Sequence, residues 1–171
     1  MDEVLNVGVA ELKVTDGSSV LASFGLGSCI AVAMYDPLRK VAGLAHVMLP
    51  DSRGKEPPDG ARGKFADIAV PVLVEELVRL GARKNGLRCK IAGGAQMFEI
   101  PGASRKESSL AVGPTAHIGA RNIQAVKEEV QKLKIPLVAE DTGGNYGRTV
   151  RFNPSTGEVE VSSINHGRTV L

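Results

Sequence analysis

Three short apolar runs stand almost back to back early in the chain: Val20–Phe24, Ile30–Tyr35 and Val41–Met48. All three are β-compatible, and the breaks between them are narrow. Gly25-Leu-Gly-Ser-Cys29 separates the first two, and the turn chemistry of Asp36-Pro37 closes the second. Such breaks fold a chain back on itself. The three runs are therefore expected as neighbours in one sheet. Upstream, Val4–Val14 alternates partly between apolar and polar positions, as a half-buried strand does. Asp16-Gly17-Ser18 marks a turn.

Residues 50–64 hold three prolines and three glycines and read as a polar loop. Helical spacing follows over Phe65–Leu80, through Phe65, Ile68, Ala69, Val72, Leu73, Leu77 and Leu80. Gly81 is its stop. Pro71 removes one backbone donor, so a kink or a late start is expected. Arg88–Ala92 reads as a strand ending in Gly93-Gly94, and residues 96–117 as irregular chain. A second helix is expected from about Gly119 to Lys134, with Ile123, Val126, Val130 and Leu133 on one face. Ile135–Ala139 is a short strand and Thr142–Asn145 a turn. Arg148–Asn153 and Glu158–Ile164 form a hairpin through Pro154-Ser-Thr-Gly157. This order predicts the α/β class: a sheet-rich α/β sandwich with two main helices packed on one side. A length of 171 residues makes one domain, 1–171, the expectation.

Composition narrows the function. An apolar fraction of 43% with 23% charged residues argues against disorder. A net charge of +2 is too small for a nucleic-acid partner. The basic residues between Arg79 and Lys90, and at Arg105 and Lys106, read as a solvated face. No apolar run approaches the ~20 residues of a spanning helix, and Met-Asp-Glu-Val lacks the basic start of a signal peptide. The protein is expected in the cytoplasm, with no direct membrane insertion. Cys29 and Cys89 are not spaced Cys-x-x-Cys. Neither a disulfide nor a structural zinc site is expected, and no cofactor is.

Chemistry concentrates in Ser23-Phe-Gly-Leu-Gly-Ser-Cys29. Two glycines in three residues let the backbone turn sharply at a strand end. A cysteine just past that turn could sit beside bare peptide N–H groups, around Gly27 and Ser28, that stabilise an oxyanion. The dinucleotide fingerprint fails because Ile30 stands where a third glycine belongs, and Gly63-Lys64-Phe65 lacks the hydroxyl of a Walker loop. A nucleophilic thiol needs a base. His46 lies in Gly43-Leu-Ala-His-Val-Met-Leu49, on the strand next to the one beginning at Cys29. A turn over 36–40 would bring the two together, although the register stays open. The plainer alternative also stays open: a small buried cysteine and a core histidine. Cys89, His117 and His166 keep plain structural readings.

These residues resemble the chemoreceptor glutamine deamidases called CheD. Gly25-Leu-Gly-Ser-Cys29 looks like that family's nucleophile motif, and Ala45-His-Val-Met-Leu-Pro-Asp51 like its histidine motif. Lys90-Ile-Ala-Gly-Gly-Ala95 with Met97-Phe98, Ile118-Gly-Ala-Arg-Asn122 and Glu140-Asp-Thr-Gly-Gly-Asn145 resemble further blocks. The resemblance implies a fold similar to the catalytic domain of deamidating bacterial toxins. It implies hydrolysis of glutamine side chains, and in some relatives methyl-glutamates, on the cytoplasmic domain of chemoreceptors. It also implies, as in many species with such proteins, a CheC phosphatase as a partner over the site. Its third catalytic position usually carries threonine; here it is Ser23, which keeps the hydroxyl and lacks the β-methyl. The stretch Pro101–His117 is longer than in compact members.

The expected reaction uses Cys29 as nucleophile, His46 as base and then acid, and Ser23 to orient the ring. The N–H groups around Gly27–Cys29 would hold the oxyanion. Competing readings are a mainly non-catalytic regulator that binds CheC, and a cysteine protease.

Overall fold

The computed structural model describes residues 3–97 and 117–171. Phe98 and the 101–116 part of the long stretch named above lie outside the described residues. The strands are β1 (Glu3–Asn6), β2 (Leu12–Thr15), β3 (Ser19–Leu26), β4 (Ile30–Asp36), β5 (Val41–Val47), β6 (Arg88–Gly93), β7 (Leu137–Thr142), β8 (Arg148–Phe152), β9 (Val159–Ser163) and β10 (Gly167–Val170). The helices are α1 (Ala66–Arg79) and α2 (Ile118–Lys132). Two mixed five-stranded sheets form, in the orders β1-β3-β8-β9-β10 and β2-β5-β4-β6-β7.

Alternation along β4 explains the layering. Ile30, Val32 and Met34 join Leu73, Leu77 and Val126 in a core beneath both helices. Ala31 and Ala33 turn the other way and meet Leu21, Leu26 and Phe152 of the first sheet. A strand covered on both faces has no polar side, which is why β4 and β5 read as unbroken apolar runs. The two helices thus cover one side of the sandwich, as expected. Among the described residues no helix is long and apolar enough to cross a membrane.

Two expectations are corrected. The three early runs do not share a sheet: β4 pairs with β5, while β3 pairs with β1 and β8 in the other sheet. The physical reason lies at Gly25, whose φ of 66° bends the strand where the β3–β8 register shifts between Ser23 and Leu26. The chain then crosses between sheets over Gly27–Cys29. Val4–Val14 likewise is not one strand but two, β1 and β2, in different sheets. Smaller shifts occur at β7, which starts at Leu137, and at α1, which starts before Pro71 rather than after it.

The β4–β5 turn is locked by Asp36. Its buried carboxylate accepts from the N–H groups of Leu38 and Arg39 and from the backbone and guanidinium of Arg83. That lock helps set the β4–β5 register on which the site depends.

Candidate functional site

Antiparallel pairing of β4 and β5 places Ala31 opposite His46 and Ile30 opposite Val47. Side chains alternate across a sheet, so Cys29, two residues before Ala31, shares its face. Cys29 and Ala31 both pack into the core between the sheets. His46 has the parity of Ala42 and Leu44, which belong to that core too. Cys29, one residue before β4, and His46 on β5 are therefore diagonal neighbours on the face that looks toward the first sheet. Diagonal pairs lie within reach of long side chains. The structure thus supplies the register that the sequence left open.

His46 is buried to 1% exposure. The crossing chain before β2 holds its backbone: Ala10 N–H donates to its carbonyl and its own N–H donates to Glu11. Its Nδ1 lies 3.2 Å from the carbonyl oxygen of Val7. A carbonyl can only accept, so Nδ1 carries the proton and Nε2 keeps a lone pair. Nε2 is buried and has no hydrogen-bond partner among the described residues. Burial pushes the imidazole pKa below its ordinary value, against the opposing pull of the Val7 carbonyl and Glu11. Burial pushes the Cys29 thiol up. Both groups are thus biased to their neutral forms.

Ser23 is fully buried, and its hydroxyl donates to the same Val7 oxygen at 2.7 Å. It therefore meets His46 through a shared backbone acceptor, and no direct bond links their side chains. Val7 is itself held by its N–H on Ala22.

The Gly27–Cys29 turn is fixed through its carbonyls. Gly27 accepts from Ala95 N–H and Cys29 from Gly94 N–H, both at 2.9 Å. Asn122, from α2, donates to Ser28 and to Met48. The N–H groups of Ser28 and Cys29 have no acceptor among the described residues. Gly27 lies under Met97, whose Cγ would be 3.1 Å from a Cβ at that position. A cleft of about 570 Å³ at the Gly25 bend is lined by Gly25, Tyr146, Arg148, Ser162 and His166, and neither Cys29 nor His46 is part of its wall.

Val7 is not visible to motif reading, because it acts by its backbone, which carries no residue signature. Asn122 is legible in its block as a side chain that hydrogen-bonds loop backbone; the structure adds which carbonyls it takes, those of Ser28 and Met48. Cys89 is fully buried beneath the helices, and His117 sits at the start of α2 with φ 55°. His166 is exposed and stacks on Tyr146 at 3.7 Å. Among the described residues no cluster of three or more His, Cys, Asp or Glu could hold a metal ion.

A layered α/β fold with a cysteine and a histidine on one inner face defines the class, and comparison with known proteins gives the family. The family model described as CheD chemotactic sensory transduction matches residues 48–163. The probable chemoreceptor glutamine deamidase CheD of Desulfitobacterium hafniense is 45% identical over the full length of both chains. The protein of the same name from Caldanaerobacter subterraneus is 46% identical over 96% of each chain. This chain belongs to the CheD family. Among solved structures, the Bacillus licheniformis hypothetical protein YfiH aligns with a TM-score of 0.44 at 18% identity, over 77% of this chain and 50% of that one.

Proposed function

We propose that this protein hydrolyses glutamine side chains of chemotaxis receptors to glutamate, with Cys29 as nucleophile and His46 as general base. One observation carries the reading. Cys29, at the entry to β4, and His46, on its partner β5, share an inner face, and the Val7 carbonyl holds His46 in the tautomer whose free Nε2 can accept a thiol proton.

In the resting site the proton stays on sulfur, because burial disfavours both ions. As Sγ attacks the side-chain carbonyl carbon, the proton passes to His46 Nε2. The carbonyl π-electrons move to oxygen, which the N–H groups of Cys29 and Ser28, beside Gly27, can receive. The imidazolium then protonates the departing nitrogen, and ammonia leaves a thioester. Water, deprotonated by His46, attacks that carbonyl; the C–S bond breaks and the thiol is restored. Ser23 acts on the Val7 carbonyl and so orients the ring indirectly.

The names of the relatives support a chemoreceptor as substrate. Receptor glutamines of this kind lie on cytoplasmic helices, so the proposal places the protein in the cytoplasm. Residues 1–171 then act as one domain. The kinship expected with the catalytic domains of deamidating toxins, and a CheC phosphatase seated over the site, belong to the same proposal.

Incubation with receptor cytoplasmic fragments from the same genome, followed by peptide mass spectrometry, tests it. Conversion of defined glutamines to glutamate with an uncut backbone is expected. Backbone cleavage, or no mass change at any glutamine, would overturn it.

A further inference from the structure

We propose that Asn122 is a positioning residue for the Cys29–His46 pair, its side-chain amide tying the turn that presents the thiol to the strand that carries the imidazole. The inference rests on the reading of those two residues given above.

The geometry is specific. Asn122 is 0% exposed. Its Nδ2 donates to the Ser28 carbonyl at 2.9 Å and to the Met48 carbonyl at 3.0 Å. Ser28 immediately precedes Cys29, and Met48 lies two residues past His46. The β4–β5 ladder ends at the Ile30–Val47 pair. Just beyond it, where the thiol stands, no strand pairing holds the two chains in step. One –NH2 group with two donors takes over that task.

Its support is rigid. Gly119, in the first turn of α2, lies so close to the backbone of Gly94 and Ala95 that a Cβ there would overlap both carbonyl oxygens. Gly94 and Ala95 are the residues whose N–H groups hold the Cys29 and Gly27 carbonyls. Three consecutive carbonyls of the nucleophile turn are thus gripped by one unit, the end of β6 with the first turns of α2. The middle grip is Asn122.

The choice of residue fits the role. Asn122 Oδ1 is buried without a partner among the described residues. A leucine or alanine would avoid that in a helix core, so the amide is explained by its two donors. Serine and threonine offer one donor each, and an ionised aspartate none. Asn122 does not touch the reacting atoms; it acts through the placement of Cys29.

The test reads the rate of Cys29 alkylation by iodoacetamide against pH, with kcat and KM on a receptor cytoplasmic fragment. The proteins are wild type, Asn122→Ala, Asn122→Asp, His46→Ala, the Asn122→Ala/His46→Ala double variant, and Val126→Ala as a packing control elsewhere on α2. Wild type should show an inflection set by His46, lost in His46→Ala. Both Asn122 variants should move toward the His46→Ala profile, with kcat down about 10- to 100-fold and KM unchanged. In the His46→Ala background, loss of Asn122 should add nothing. Val126→Ala should keep the wild-type inflection and kcat. The inference is overturned if the Asn122 variants keep both, if Val126→Ala does equal damage, or if the two losses multiply. It is also overturned if both Asn122 variants fail to fold while Val126→Ala folds, because the role would then be stability alone. A wild-type inflection in His46→Ala would instead sink the Cys29–His46 reading itself.

Discussion

Ser23 and His46 donate to one atom, the carbonyl oxygen of Val7, at 2.7 and 3.2 Å. The acceptor is backbone, held in turn by the Val7 N–H on Ala22. His46 orientation is therefore set by where β1 ends, and Ser23 braces that oxygen from β3, the neighbouring strand of the same sheet. Ser23→Ala removes one of the two donors and leaves the other. The expected loss is about 1 kcal/mol of transition-state alignment, roughly fivefold in kcat, with KM unchanged. Steady-state kinetics on a receptor fragment checks it; a loss as large as that of His46→Ala would mean a direct role for the hydroxyl.

The pH profile follows from burial. A general base must be neutral, and desolvation holds the His46 pKa below the ordinary 6.5. The rate is expected to rise through a midpoint below 6.5 and to be level by neutral pH. The thiol is pushed above its ordinary 9.0, so the plateau extends to at least that pH. For stability the sign is the same. The unfolded chain binds the His46 proton more readily, so His46 contributes a loss of stability as pH falls below 6.5. A rate profile with its acid midpoint above 6.5 would contradict this account.

Asp36 is a stability residue. Hydrogen bonds from Arg83, first among several, hold its carboxyl well below the ordinary 3.8. A depressed carboxylate stabilises the fold above its unfolded pKa and loses that contribution as pH falls below it. Asp36→Ala is expected to cost about 2–3 kcal/mol in urea unfolding at neutral pH. The difference from wild type should shrink as the solution is acidified below 3.8.

Gly93 should not tolerate a side chain. Its φ is +114°, and a Cβ would overlap the carbonyl oxygen of Cys29. Gly93→Ala therefore pushes directly on Cys29, the proposed nucleophile. Activity is expected to fall by more than the melting temperature suggests. Gly81→Ala, strained at φ +117° but in open space, is the comparison.

Much of the fold was legible because its signals are local. The β4–β5 hairpin, α2 and the β8–β9 hairpin follow from periodicity and turn chemistry. Sheet membership was not, since β3, β4 and β5 are all apolar and the pattern does not say which surface each faces. The crossing at Gly25–Cys29 reads on paper like any strand turn. In the site, Cys29 and His46 were visible as reactive types. The Val7 carbonyl could not be, because every residue has one. Ser23 was visible, but its bond to Val7 rather than to the ring depends on β1 and β3 lying parallel, with Asn6 beside Ala22.

The most direct test of the Cys29–His46 account is peptide mapping of receptor fragments treated with wild type, Cys29→Ala and His46→Ala. Wild type should convert defined glutamines to glutamate, and neither variant should do so above the untreated background. Conversion by Cys29→Ala at the wild-type sites would contradict the account.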